Sequence, residues 1–362
     1  MFVPAFVLAT LIPGCGPSPD PGPADEIDLA FNLTPSTEPV ATRGEPIFTD
    51  QPIFEHVPGR TGHHGASITA FADGGLLAAW YGYQGPHELE GSAIYLARRL
   101  PETEAWEPPA LHIERPVGDG NPVLYREGDK VWLFQAVVPW RWSSSGIEMQ
   151  ISDDRGRTWS EPQSLGGPLG SNTRFPPIRL TDGTLLLPAY DDLFQQSLFF
   201  SSTDGSAWEL SARVATAAPH QNIQPSVVQL DGGRLVAVMR NTGAGWLWVT
   251  ASDDGGSTWS APIDSGFRNP GSPAALMRTA TGRLVLVFND SPAERTPLTA
   301  ALSDDEGRTW PHRRVLAEDD RGVSYPGVAE TPDGSIHVVY SLGREHIRHA
   351  TVNEAWITGD GS

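Results

Sequence analysis

One eight-residue motif recurs along this chain at nearly constant spacing, and it constrains the fold more than any other feature. The motif is Ser-x-Asp-x-Gly-x-Thr-Trp, and full copies occupy residues 152–159, 252–259 and 303–310. A weakened copy over 201–208 has Thr203 in place of the Asp, and we interpret Trp106 and Trp356 as the ends of two degenerate copies. Successive motif tryptophans are 46 to 53 residues apart, so the sequence predicts six structural repeats.

Each copy has the composition of a β-hairpin turn. The Asp carboxylate can accept N–H groups of the turn, Gly supplies the position with positive φ, and Trp packs against the turn. The motif aspartates are therefore predicted to be structural and not catalytic.

A second repeated element, a glycine-containing turn followed by an apolar run, lies between the motif copies. Such a run predicts a buried strand. Four strands fit in about 50 residues, so six sheets arranged radially would protect one another's edges. The sequence thus predicts an all-β, six-bladed β-propeller over residues 47–357. The six runs occupy residues 73–80, 128–134, 182–187, 231–238, 282–288 and 333–339.

The charge of the chain narrows the class of partner. The formal net charge is −19, whereas nucleic acids and anionic membranes are met by clustered Lys and Arg. A nucleic-acid partner is therefore not expected. Lys130 is the only lysine, so any anionic ligand must be recognised by arginine.

The first 46 residues differ in composition from the rest. Residues 1–15 form a short apolar segment that ends in Ile12-Pro13-Gly14-Cys15, which resembles a bacterial lipobox although no Lys or Arg precedes it. Residues 16–46 are rich in Pro, Thr, Ser and acids and predict a flexible tether. We expect an exported cell-envelope lipoprotein, in the periplasm or on the outer membrane, attached through lipid on Cys15. The alternatives are an ordinary signal peptide and an unprocessed apolar tail with a buried, inert Cys15.

The motif copies in a six-fold arrangement resemble the Asp-box (BNR) repeats of the sialidase (neuraminidase) superfamily, over about residues 50–352. The resemblance implies an exo-acting glycoside hydrolase. It also implies three arginines around the substrate carboxylate, an acidic residue on an early loop as general acid/base, and a tyrosine nucleophile paired with a glutamate.

Several site positions carry over from the resemblance. Arg240 follows the segment Gln224-Pro-Ser-Val-Val-Gln-Leu at the interval of the second family arginine, and Arg295 stands before a motif copy like the third. Tyr325, in Ser-Tyr-Pro, matches the nucleophile. The general acid position falls on Glu88, and Glu90 of the same loop is a near-equal alternative. These residues imply a glycan substrate that carries a carboxylate.

Two positions depart from the family pattern. His64, in Gly62-His63-His64-Gly65, replaces the first arginine, and Gln224 replaces the glutamate. Without that carboxylate, a tyrosine with an ordinary pKa near 10 would be a poor nucleophile. Tyr325 would then only position the substrate, with His64 or Glu88 acting as base. His63 is a further candidate for substrate binding.

Three functions follow from these residues. The first is cleavage of a terminal acidic sugar, sialic acid or a related sugar, from glycans. The second is a hydrolase or lyase acting on a uronic-acid polysaccharide, and the third is a glycan-binding lipoprotein without catalysis. No cofactor is expected, and the adjacent histidines 63 and 64 point to opposite faces of a strand, which disfavours a metal site. Four aromatic residues expected in loops are candidates for a sugar subsite or for blade packing: Trp140, Trp142, Tyr190 and Phe194.

The lipobox resemblance makes a direct prediction. Mass spectrometry of the mature protein should find a diacylglycerol group on Cys15, and Cys15→Ser should release the protein from the membrane fraction. A mature chain that begins downstream of residue 15 would contradict this prediction.

Overall fold

The structure, a computed structural model, describes residues 44–217, 219–243 and 245–359. The predicted signal segment over 1–15, and the predicted tether except for its last three residues, lie outside these ranges. Within the described ranges, no helix has the length and apolar character needed to cross a membrane.

Within these ranges, twenty-five strands form six antiparallel sheets, which confirms the predicted six-bladed β-propeller. Blades 1 to 5 are each built from contiguous chain. The strands of blade 1 are β2 (Gly62–Ala70), β3 (Leu76–Tyr83), β4 (Ala93–Arg99) and β5 (Ala110–Glu114); those of blade 2 are β6 (Gly118–Glu127), β7 (Lys130–Val138), β8 (Gly146–Ser152) and β9 (Gln163–Gly166). Blade 3 contains β10 (Ser171–Thr173), β11 (Ile178–Arg179), β12 (Leu185–Asp191), β13 (Gln196–Ser202) and β14 (Glu209–Val214).

The later blades follow the same order. Blade 4 contains β15 (Asn222–Gln229), β16 (Leu235–Asn241), β17 (Trp246–Ser252) and β18 (Ile263–Arg268); blade 5 contains β19 (Ala275–Arg278), β20 (Leu284–Asn289), β21 (Leu298–Ser303) and β22 (His312–Ala317). Blade 6 contains β23 (Val323–Glu330), β24 (Ile336–Leu342) and β25 (His346–Val352), and β1 (Phe48–Pro52) completes it by pairing with β25. The short helices are two 3₁₀ turns, Trp142–Ser144 and Asp231–Gly233, and α1 (Glu354–Thr358).

The antiparallel order of each blade separates two kinds of loop. The loops that join the second and third strands lie at the same end of the propeller as the start of each first strand, and we call this end the site face. The Asp boxes join the third and fourth strands and therefore lie at the opposite end. The aspartates of the repeat are thus separated from the loops of the site face.

The box over 152–159 shows the predicted turn. Asp154 accepts hydrogen bonds from the backbone N of Thr158 at 2.8 Å and from its hydroxyl at 2.7 Å. Gly156 has a φ of 77°, and the indole Nε1 of Trp159 donates to its carbonyl at 3.1 Å. The structural role predicted for these aspartates is confirmed.

Box tryptophans also join neighbouring blades. Trp259 stacks on Phe199 of blade 3 with ring centroids 4.0 Å apart, and Trp208 contacts Phe134 of blade 2 edge-on at 5.4 Å. Each indole therefore packs on the blade that precedes its own. This contact puts the hydrophobic core between the blades.

Two details of the repeat prediction were wrong. In the third blade Asp204, and not Thr203, takes the role of the box aspartate, because the box starts at Ser202 and is one residue shorter. Trp356 does not end an Asp box. It lies in helix α1, capped by Asn353, and stacks on Phe48 at 5.1 Å.

Blade 6 contains a buried chain of hydrogen bonds through two neutral histidines. Trp106 Nε1 donates to His349 Nδ1 at 3.3 Å, so His349 must carry its proton on Nε2, 3.0 Å from His337 Nδ1. His337 Nε2 then donates to the hydroxyl of Thr331 at 3.0 Å, and that hydroxyl donates to Asp333. Each imidazole therefore needs one bare nitrogen to accept a bond, and protonation would break the chain.

This chain predicts acid sensitivity. Burial, with the nearby charge of Arg99, lowers the pKa of His337 from 6.5 to about 4. Because the folded pKa is depressed, stability is fully present above pH 6.5 and is lost as the pH falls from 6.5 towards 4, by roughly 3 kcal/mol for this group. Urea unfolding at pH 7 and pH 4.5 measures the loss. His337→Gln should reduce the difference between the two pH values, whereas His56→Gln, at an exposed position, should leave it unchanged. An equal pH dependence in wild type and His337→Gln would refute the assignment.

Candidate active site

The innermost strands of blades 1, 2, 4 and 6 share a β-bulge near the site face. At each bulge one residue takes the left-handed conformation: Gly65 in β2, Asn121 in β6, Gln224 in β15 and Tyr325 in β23, with φ between 44° and 66°. Three of these four residues are not glycine and precede proline. Such a backbone is costly for L-residues and persists where the surroundings hold it. At the three bulges without glycine, the side chains of Asn121, Gln224 and Tyr325 take part in one polar network with Tyr190 and Arg240.

Tyr325 and Gln224 meet at one guanidinium. Arg240, on β16, donates from Nη1 to the Tyr325 hydroxyl at 3.1 Å and to Gln224 Oε1 at 3.2 Å. Both protons of that nitrogen are thereby used. The structure brings together three residues that lie 16 to 101 positions apart in the sequence.

Two arginines set the acidity of Tyr325. Burial raises the pKa of this phenol, but the charges of Arg240 and Arg295 outweigh that effect, and the pKa of Tyr325 is lowered below 10. Arg295 comes from the loop between β20 and β21 of blade 5, and its Cζ lies 5.3 Å from the Tyr325 ring centroid. The phenolate is therefore stabilised by cations, while the residue at 224 is neutral.

Glu88 lies on the site face in the loop between β3 and β4. Its carboxylate accepts hydrogen bonds from Trp142 Nε1 at 2.9 Å and from the Tyr81 hydroxyl at 3.1 Å. Arg344, from the loop between β24 and β25, forms an ion pair with it at 3.1 Å. The Glu88 side chain keeps 23% of its surface exposed and can be reached by a ligand.

The adjacent residues His63 and His64 lie in different environments. His64 is fully buried, its ring lies 4.0 Å from that of Tyr325, and its Nδ1 bonds to Ser341 at 2.8 Å. Burial, with four nearby arginines, holds the pKa of His64 well below 6.5, so the imidazole is neutral. His63 instead accepts from Trp80 Nε1 at 3.2 Å and contacts Phe54, so it packs inside blade 1 and away from Tyr325.

Within the described residues, no group of three or more His, Cys, Asp or Glu side chains is arranged to hold a metal ion.

The four aromatic residues proposed for a sugar subsite lie in different environments. Trp142 bonds to Glu88, while Trp140 and Phe194 are 74% and 71% exposed on neighbouring loops. Tyr190 was expected in a loop, but it is a buried residue of strand β12.

Arg174 is a buried cation at the axis that sequence reasoning missed. Its Nη2 donates to the backbone carbonyls of Tyr325 at 2.7 Å and of Pro326 and Ala66 at 3.0 Å. These carbonyls belong to the bulges of β23 and β2. Burial lowers the pKa of Arg174 to about 10, so the guanidinium remains charged at neutral pH. Arg174 therefore ties blades 1, 3 and 6 together and holds the backbone of Tyr325.

A buried polar network from blades 2 and 3 extends the site. The Tyr190 hydroxyl accepts from Asn121 Nδ2 at 3.1 Å and from Gln224 Nε2 at 3.3 Å. Asn121 also bonds to Asn172, which donates to Asp192 at 3.2 Å. Burial raises the pKa of Asp192 to about 6. The dipeptide Asn121-Pro122, which parallels Gln224-Pro225 and Tyr325-Pro326, is the sequence signal that could have revealed this network.

A six-bladed propeller with Asp boxes at one end and an arginine-bound tyrosine at the other defines a sialidase-type protein. The model of the BNR repeat-like domain matches residues 74–338, and the chain belongs to this family, in agreement with the predicted sialidase superfamily.

Similar proteins carry the name sialidase. The chain is 25% identical over 372 residues to a sialidase from Micromonospora viridifaciens, with 89% of this chain and 56% of that protein covered. The chain thus spans about half the length of this curated relative. The Hadza microbial sialidase Hz136 has a similar fold, with a TM-score of 0.72 and 19% identity over 83% of this chain and 67% of that chain. Trypanosoma rangeli sialidase, solved with 2,3-difluorosialic acid as a covalent intermediate, has a TM-score of 0.66 and 13% identity over 84% of this chain and 58% of that chain.

The contacts of Arg174 predict that it is essential to the axis. Arg174→Met would leave the bulge carbonyls of Ala66, Tyr325 and Pro326 buried without donors, so we expect a loss of about 3 kcal/mol or more of unfolding free energy. Arg174→Lys should restore part of it. As a matched control, Arg234→Met removes only a partly exposed ion pair with Asp253 and should change stability by less than about 1 kcal/mol. Equal denaturation curves for the two methionine variants would contradict this role.

Proposed function

We propose that the protein is an exo-acting glycoside hydrolase that removes a terminal acidic sugar, sialic acid or a close relative, from glycans. The observation that carries the proposal is the 3.1 Å contact between Arg240 and the Tyr325 hydroxyl in a site where cations lower the pKa of that phenol. The sialidase relatives support the substrate class, and the covalent intermediate of the Trypanosoma rangeli sialidase supports nucleophilic chemistry.

The arginines supply recognition of the sugar carboxylate. Arg240 uses Nη1 on Tyr325 and Gln224, and its Nε is buried without a partner among the described residues. The unused edge of this guanidinium has the fork geometry that suits a carboxylate. Arg295 and Arg344 add positive charge from blades 5 and 6.

In the proposed reaction Tyr325 first loses its phenolic proton to solvent, its oxygen then attacks the anomeric carbon, and the glycosidic C–O bond breaks. Glu88, in its protonated form, gives its proton to the leaving oxygen. Water then attacks the anomeric carbon, Glu88 takes the proton of that water, and the C–O bond to Tyr325 breaks to release the free sugar. Arg240 stabilises the Tyr325 phenolate before attack and after release, so that loss of the proton to solvent takes the place of proton transfer to a paired base.

The burial of His64 argues against the alternative in which this imidazole takes a proton from a uronic acid. Its Nε2 is buried and without a partner among the described residues, behind the ring of Tyr325. The Glu88 side chain keeps 23% of its surface exposed, whereas His64 is fully buried. Glu88 is therefore the accessible proton carrier.

The test compares fluorogenic sialoside and glucuronide substrates with the wild type and three variants. Tyr325→Phe and Glu88→Gln should each lower kcat on the sialoside, the second by about 10²–10⁴-fold. Arg240→Met should weaken transition-state binding by about 2–5 kcal/mol, because it leaves the substrate carboxylate unpaired.

The control is Arg234→Met, at the end of the propeller opposite the site, which should keep wild-type kcat/KM. Turnover of the glucuronide alone would favour the uronic-acid enzyme. A wild type that binds sialosides through Arg240 without turnover would identify a glycan-binding protein, and kinetics unaffected by Arg240→Met would overturn the proposed site.

A further inference from the structure

The orientation of two side-chain amides in the site is fixed by groups that can act only as donors. The backbone N of Thr173 lies 2.9 Å from Asn172 Oδ1, so that atom must be the oxygen, and the Asn121 atom 3.0 Å from it must be Nδ2. Arg240 cannot accept a hydrogen bond, so the Gln224 atom it contacts is Oε1 and the amide nitrogen Nε2 faces Tyr190.

These constraints meet at the hydroxyl of Tyr190. Its oxygen receives an N–H from Asn121 on one side and an N–H from Gln224 on the other. A phenolic oxygen that accepts two bonds has only its own proton left to give. That proton must point away from both amides, and no contact among the described residues provides an acceptor for it.

Burial of the Tyr190 hydroxyl favours a hydrogen bond from its proton to a ligand. Tyr190 is 2% exposed and its pKa is raised well above 10, by burial and by the charge of Asp192, so the hydroxyl remains protonated. A buried donor without an acceptor is costly, which makes an acceptor brought by a ligand favourable. The hydroxyl lies next to Gln224, which shares Arg240 with Tyr325, so such a ligand atom would sit beside the reacting centre.

We propose that Gln224 fixes Tyr190 as a hydrogen-bond donor to an oxygen atom of the bound acidic sugar, and that Tyr190 is thereby a specificity-determining residue. This inference rests on the proposed function. A glutamate at 224 would still accept from Arg240, but its second oxygen would also accept the Tyr190 proton and withdraw it from the ligand. The amide at 224 therefore sets the direction of the Tyr190 hydrogen bond.

Neutron diffraction of the ligand-free, deuterium-exchanged protein tests the first step. We expect the hydroxyl deuteron of Tyr190 to lie off the lines to Gln224 and Asn121, with amide deuterons pointing at the tyrosine oxygen. A deuteron on either line overturns the proposal, whatever the substrate proves to be.

Calorimetric binding of the glycal 2,3-didehydro-2-deoxy-N-acetylneuraminic acid tests the second step in a double-mutant cycle. Tyr190→Phe should weaken binding roughly 10- to 100-fold in the wild type, but by less than about 3-fold in the Gln224→Glu background, where the proton is already taken. A purely structural role would weaken binding equally in both backgrounds, and that result would overturn the proposal.

Tyr340→Phe is the matched control. Tyr340 is equally buried in the second strand of its blade, but it donates to Asp50 at 2.9 Å, away from the site. Its variant should lose stability and keep glycal affinity. Failure of the wild type to bind the glycal would count against the proposed function, while the neutron map would still decide the direction of the Tyr190 proton.

Discussion

The pairing of β1 with β25 closes the ring on which the rest of the structure depends. Phe48 stands opposite Val352 and Pro52 opposite Arg348, so one sheet joins segments about 300 residues apart. Without β1, strand β25 would expose a row of unpaired N–H and C=O groups, and blade 6 would be incomplete. A closed ring holds all six innermost strands around one axis. Only then can single residues from different blades meet at the site face.

The crowding of strands at the axis explains why the site is both strained and charged. Each bulge removes backbone groups from the sheet, and the freed carbonyls need donors in a place that water cannot supply. Arg174 provides those donors for β2 and β23, and this holds Tyr325 in a left-handed conformation. The tyrosine is thereby presented to Arg240. The same arrangement thus gives the buried bulge carbonyls their hydrogen-bond donors and places the Tyr325 phenol beside the arginine that lowers its pKa.

The sequence predicted the propeller because the Asp box is local: a turn, its carboxylate and its indole lie within eight residues. Gln224 and Tyr325, which meet at Arg240, were found only through the resemblance to sialidases. Arg174 was missed, and Tyr190 was placed in a loop, because their roles arise from contacts across blades, which no periodicity records. The same limit explains His63, which shares the motif of His64 but packs inside blade 1.

The opposite placement of Asp boxes and site residues has an evolutionary consequence. A substitution at the site face leaves the turns that stabilise each blade untouched, so the two ends can accumulate changes independently. Replacement of glutamate by Gln224, or of arginine by His64, requires no compensating substitution in the Asp boxes. The propeller can therefore acquire new specificities one loop at a time while the Asp-box turns at the other end of each blade stay intact.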